Sequence, residues 1–264
     1  MADLPAPIAF TAFAWWFLTG LILWLDRRPV STFRLSFVVA TVVLGGAIAG
    51  LVASAEVSSP SGHYVAFASA LLVWGWIETA FLFGFITGPR TTGCAAGCHG
   101  WRHFVHAVQA ILYHELTMLF AAGAIAVLTV GAANRLALWT FLLLWVLRQS
   151  AKLNLFFGVP NVGDGLLPPH LAYLATFFRR RPMNALFPFS LTAATVLTVL
   201  LAQRALDEAA TPGMAVGWAL LATLSGLATL EHWFMVLPIR SEALWSVSLG
   251  EPAQPVKRAS CPPL

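Results

Sequence analysis

The sequence predicts an all-α polytopic integral membrane protein, with about seven transmembrane helices in one bundle. Three observations predict it. Charged residues are 10 % of the 264-residue chain and hydrophobic residues 59 %, whereas soluble domains carry about 25 % charged residues. Seven apolar runs are each long enough to cross a bilayer, which needs about 20 residues. The basic residues between those runs fall almost entirely on one side, as the positive-inside rule requires. The formal charge of +4 would point to nucleic acid in a soluble protein. Here basic loops account for it, and no nucleic-acid partner is expected.

The first run, Leu4 to Leu25, closes with Asp26, Arg27 and Arg28. It has no basic leader and no small-residue cleavage site, so it reads as a retained helix. The second spans Phe33 to Ala55, with Gly45, Gly46 and Gly50 offering small faces for close packing. The third, Tyr64 to Thr87, is interrupted only by Glu78. A loop from Gly88 to Gly100 leads to the fourth, Trp101 to Val130, which carries His103, His106, Gln109, His114 and Glu115. Leu136 to Phe157 is the fifth, polar near its end at Arg148, Gln149, Lys152 and Asn154. A long loop follows, in which His170 to Phe178 has the spacing of a short interfacial helix. Ala185 to Leu206 and Met214 to Leu237 are the sixth and seventh. Residues 1–250 thus form a seven-helix domain, and the Pro-rich stretch 251–264 reads as a disordered cytoplasmic tail.

Seven crossings put thirteen of the fifteen basic residues on one side, leaving Arg135 and Arg204 on the other. That asymmetry predicts an inner membrane (cytoplasmic or intracytoplasmic) location, with the N-terminus periplasmic and the C-terminus cytoplasmic. It also gives each intramembrane polar group a height. At a rise of about 1.5 Å per residue, Glu78 lies about 15 Å from the cytoplasmic end of its helix. By the same rise, Glu115 and His114 lie about 20 Å from theirs and Glu231 and His232 about 9 Å. Such groups are costly in lipid and should face other helices or a wet cavity.

Three readings of this polar set compete. The groups can act as structural glue, bonding across helices or pairing with Arg148 and Lys152. They can hold metal: carboxylates and imidazoles on inward-facing helices are the ingredients of a carboxylate-bridged di-iron or other divalent first-row metal centre, although the spacing is not Glu-x-x-His. Or they can form a proton path or a site for a tetrapyrrole or quinone. The metal candidates are Glu78, His114, Glu115, Glu231 and His232, with His106 and His170 as further ligands. The loop motif Cys94-x-x-x-Cys98-His99 is one residue longer than a haem-attachment motif; it reads as plain loop. Cys261, in a terminal CPPL, reads as tail and not as a lipid anchor.

Four stretches resemble the PuhE family of photosynthetic-complex assembly proteins of purple phototrophic bacteria. They are Trp76-Ile-Glu78 with the following FxxGFITGPR, His114-Glu115, RQSAKLNLFFGVPN from Arg148 to Asn161 with LLPPHLAYL, and LEHWFMVLP from Leu230 to Pro238. The resemblance covers residues 60 to 245 or so. It implies a membrane factor that helps build the reaction centre and its light-harvesting ring. The partners it implies are subunits of those complexes, bacteriochlorophyll and membrane lipids. It carries no catalytic residues. The alternative is a membrane-embedded di-metal oxidoreductase acting on a pigment, quinone or lipid.

Overall fold

The computed structural model describes residues 4–95 and 97–237. Its elements are α1 (Pro5–Asp26), α2 (Phe33–Ser54), α3 (Pro60–Leu82), α4 (Gly100–Leu128), α5 (Leu136–Phe157), α6 (Leu186–Ala205) and α7 (Pro212–Phe234). A 3-10 segment, Pro169–Phe177, stands where the short interfacial helix was expected. All seven α-helices are long and apolar enough to cross a membrane. The stretch 251–264, and with it Cys261, lies outside the described residues.

Two helices form the middle. The apolar span of α3 is 61 % buried and that of α7 50 %, against 11 % for both α2 and α6. Phe67 and Ile77 of α3, Met118 of α4, Phe141 of α5 and Leu220 and Leu224 of α7 make the shared core. The outward faces stay apolar: Val38, Val42, Leu119, Phe120, Phe189 and Leu200 are all exposed. In water such surface would aggregate; against lipid it is the expected solvent face. Close approach of the two central helices at their starts depends on small residues. A Cβ on Gly213 would sit 1.9 Å from the Ser58 carbonyl, and one on Gly217 would sit 2.6 Å from the His63 ring. This pair, four residues apart on α7, lets α3 and α7 touch.

The helix starts of α3 and α7 lie earlier than the apolar runs predict. Ser59 caps α3, its hydroxyl accepting from Gly62 N–H at 3.3 Å, and Pro60 occupies the first turn. Thr211 and Pro212 do the same for α7. Both are ordinary N-terminal signals, polar and therefore outside a hydropathy run. Two asparagines staple the opposite ends. Asn134 Nδ2 donates to the Ser54 and Val57 carbonyls. Asn184 Nδ2 donates to the Asn154 and Gly158 carbonyls, while its Oδ1 accepts from the first N–H groups of α6.

The third helix ends sooner than the sequence predicts. The apolar run reaches Thr87, but α3 stops at Leu82 because Gly84 takes φ +78°. The Gly84 N–H then closes back on the Phe81 carbonyl and the Phe85 N–H on Ala80, a left-handed helix ending. Glu78 is therefore four residues from the helix end, about 6 Å along the axis and not 15 Å. The chain beyond turns back into the protein. Thr87 and Gly88 are buried, and the Thr87 carbonyl accepts the backbone N–H of His114 at 3.0 Å. Arg90 N–H donates to the Gln109 carbonyl. Irregular backbone at such a place survives only when protein covers it and satisfies it. His170 supports the same corner, its Nε2 donating to the Leu82 carbonyl at 2.7 Å.

A Cβ on Gly88 would lie 2.0 Å from the Gln109 carbonyl oxygen, whereas one on Gly123 meets nothing. Gly88→Ala should therefore destabilise the detergent-solubilised protein by about 1–3 kcal/mol through forced backbone displacement. Gly123→Ala should leave the thermal midpoint unchanged or slightly raised. Equal midpoints for the two variants would contradict the packed segment.

Candidate functional site

Helix α5 collects the intramembrane polar groups. Its turns from Trp145 to Lys152 present one polar face, and the acids of three other helices come to it or beside it. Trp145, Gln149 and Lys152 are spaced four and three residues apart, so they share a stripe of the helix. All three donate to Glu115 of α4. The Glu115 Oε2 accepts from Trp145 Nε1 at 3.3 Å and from Gln149 Nε2 at 2.5 Å. Its Oε1 meets Lys152 Nζ at 2.5 Å. Both carboxylate oxygens are thus supplied by neighbouring donors.

Glu78 of α3 faces Arg148, with Oε2 to Nη2 at 3.7 Å, while its buried Oε1 has no hydrogen-bond partner. Glu231 of α7 accepts from Trp15 Nε1 of α1 at 2.8 Å. No ion pair to Glu231 forms among the described residues. His232, 1 % exposed, donates from Nδ1 to the Ala228 carbonyl of its own helix and meets the Ser150 hydroxyl through Nε2 at 2.9 Å. His114 is equally buried, its ring 4.5 Å from that of Phe81 and its Nδ1 unpartnered. Three acids thus stand against two cations in direct contact, with indole and amide N–H groups serving Glu115 Oε2 and Glu231 Oε1 and the buried Glu78 Oε1 left without a partner. Outside the spans, burial pushes the Tyr173 phenol above its ordinary range, with the Thr87 hydroxyl beside it pulling the other way.

The expected ligand set is distributed as follows. Glu115 and Glu78 go to cations of α5, Glu231 to an indole, His232 to a serine and His170 to a backbone carbonyl. Lys152 and Arg148 do not pair directly with Glu231; their partners are Glu115 and Glu78. Arg148 lies nine residues before the end of α5, so it sits deeper than a group closing the helix. His106 alone of the set enters a group of metal-compatible donors. Among the described residues, the grouping of three or more such side chains around one point is Cys94, Cys98 and His106. The loop expectation for Cys94 and Cys98 missed it. The signal available was a pair of cysteines followed within eight residues by His103 and His106 on one helix face.

Comparison with known proteins places the chain in a family. Residues 1–256 match the family model described as a protein of unknown function, DUF3623. The chain belongs to the DUF3623 family. Over 254 residues this DUF3623 chain is 43 % identical to an uncharacterized 30.4 kDa protein in the puhA 5' region of Rhodobacter capsulatus, covering 93 % of the chain and 92 % of that relative. No solved structure matches the DUF3623 chain.

The geometry separates two of the acids by experiment. Lys152→Met leaves Glu115 charged and short of its cation, and should cost this family member about 3 kcal/mol or more, as broken buried pairs do. Glu231→Gln keeps an oxygen for Trp15 and removes no ion pair, so it should cost about 1 kcal/mol or less, the scale of one hydrogen bond. Thermal unfolding in detergent reads both; the reverse order would contradict the pairing described.

Proposed function

We propose that this protein is an assembly factor for the bacterial photosynthetic reaction centre and its light-harvesting complex, working as a rigid membrane scaffold. Two things support the context. The residues resemble the PuhE family, and the relative at 43 % identity carries a name that refers to the puhA 5' region. We further propose the inner membrane as its location, with the N-terminus periplasmic and the C-terminus cytoplasmic. The support is the charge asymmetry of thirteen basic residues against two.

The observation that carries the scaffold reading is the split between a closed interior and an open face. Inside, Glu115 is supplied by three donors and Glu78 by a guanidinium, which ties α3, α4 and α5 together. Outside, Gly45 and Gly46 lie mid-span on α2 with nothing within 4 Å of a Cβ at either position. Gly50, by contrast, is packed on Ser69 of α3. Small residues exposed in the middle of a span let another transmembrane helix come close. The partners on this reading are spans of reaction-centre or light-harvesting subunits, with bacteriochlorophyll and lipid along the same apolar face.

A second reading keeps the intramembrane metal, as a di-iron or other divalent first-row centre doing redox chemistry on a pigment, quinone or lipid. One observation favours it: Glu78 Oε1 and His114 Nδ1 are both buried and without a partner. Elemental analysis separates the readings. Iron or manganese that is lost in Glu78→Gln and His114→Asn would support the second.

The scaffold reading is tested on α2. The double variant Gly45→Leu, Gly46→Leu should accumulate in membranes at the normal level. It should co-purify with photosynthetic subunits far less than the unaltered protein, and the level of assembled complex should fall with it. Normal co-purification and assembly in a stably inserted variant would overturn this placement of the partner surface.

A further inference from the structure

Three potential ligands, Cys94, Cys98 and His106, converge where the loop after α3 meets the start of α4, and His103 stands beside Cys94. The Sγ of Cys94 lies 3.3 Å from His103 Nδ1 and 3.5 Å from His106 Nδ1. The Sγ of Cys98 lies 3.3 Å from the same His106 nitrogen. His103 and His106 are three residues apart on α4, so both rings leave one face of the helix. Two features hold the loop over that face. The Thr176 hydroxyl of the 3-10 segment accepts the Cys94 N–H at 3.0 Å, and Arg90 Nη2 donates to the Gly93 carbonyl at 2.8 Å. A turn at Gly97, with φ +80° and Cys98 N–H on the Ala95 carbonyl, brings the second sulfur back to the first. The His103 ring is fixed between Phe156 and Phe177, with centroids at 5.2 and 5.7 Å.

We infer that Cys94, Cys98 and His106, with the loop closing on His103 as the fourth ligand, form a mononuclear Cys2His2 zinc site. A tetrahedral zinc ion with Zn–S of about 2.3 Å and Zn–N of about 2.0–2.1 Å spaces sulfur and nitrogen ligands about 3.6 Å apart. The sulfur–nitrogen separations of 3.3 to 3.5 Å fall close to that value. Thiolate with imidazole is the donor mixture that selects zinc over hard cations. The ligand order, Cys-x3-Cys-x4-His-x2-His, is compact, with the loop supplying sulfur and the helix nitrogen. Four protein ligands complete the shell, so the ion is structural and holds no open position for substrate. It fastens the turn-back segment and the 3-10 segment to the base of α4.

In the structure Cys94 and Cys98 are joined as a disulfide. On the orientation proposed above this loop faces the cytoplasm, where thiols stay reduced and paired cysteines more often bind metal. The thiol pair carries the zinc; the disulfide is the metal-free alternative of the same two residues.

Elemental analysis of full-length protein tests the site, after purification in detergent with reductant and without chelator. The unaltered protein should hold about one zinc per chain, and Cys94→Ser with Cys98→Ser, or His103→Asn with His106→Asn, should lose most of it. Glu78→Gln with His114→Asn should keep it, which separates this ion from any intramembrane metal. Should the ligand variants fail to accumulate, the unaltered protein stripped of metal is titrated with Co2+. Thiolate-to-cobalt charge transfer and tetrahedral d–d absorption are then expected, together with protection of Cys94 and Cys98 from alkylation. Background zinc in the unaltered protein, zinc retained in both ligand variants, or unprotected cysteines under saturating cobalt would overturn the site. A Cys94–Cys98 disulfide in protein quenched directly from cells would overturn it too, and would count against the orientation as well.

Discussion

An ionised side chain inside a bilayer must find its counter-charge within the protein, because lipid offers none. The Glu115 clamp on α5 meets that constraint. One carboxylate takes an indole N–H, an amide N–H and an ammonium from three residues on a single helical stripe. Two further intramembrane groups meet the same turns, Glu78 on Arg148 and His232 on Ser150, while Glu231 goes to Trp15 of α1. The central helices α3 and α7 can approach one another because Gly213 and Gly217 leave room for Ser58 and His63. Ionic matching and close packing thus act at opposite ends of one bundle.

These pairings are not simply a source of stability. Desolvating two charges costs about what their attraction returns, so a well-packed apolar pair can equal or better them. What an ionic match does impose is register. Glu115 can satisfy all three donors only when α4 and α5 stand at one rotation and one height. The exposed apolar faces of α2, α4 and α6 make no such demand on lipid. A bundle fixed inside and undemanding outside suits a template for other spans, the scaffold role proposed here.

Much of the fold was legible in the sequence. Length and hydropathy sufficed for seven spans, and the α5 boundaries match the apolar run. The end of α3 was not legible, because FLFGFITG stays apolar after the helix has broken at Gly84. Hydropathy sees burial, not backbone conformation, and so placed Glu78 too deep. The polar set was legible as residues but not as partners. Helical spacing shows that residues 145, 149 and 152 share a stripe; only packing shows that Glu115 is what they meet. The cysteine–histidine group was hidden for a related reason. Its loop half and its helix half are brought together by Thr176, more than seventy residues away in the chain.

Glu115 and Lys152 answer one another between α4 and α5. A double-mutant cycle on Glu115 and Lys152, read by equilibrium unfolding in detergent, tests it most directly. Glu115→Leu and Lys152→Met should each destabilise strongly, and the double variant should recover most of the loss, since no charge is then left without its partner. Losses that simply add would contradict the account, because the two side chains would then be serving something other than each other.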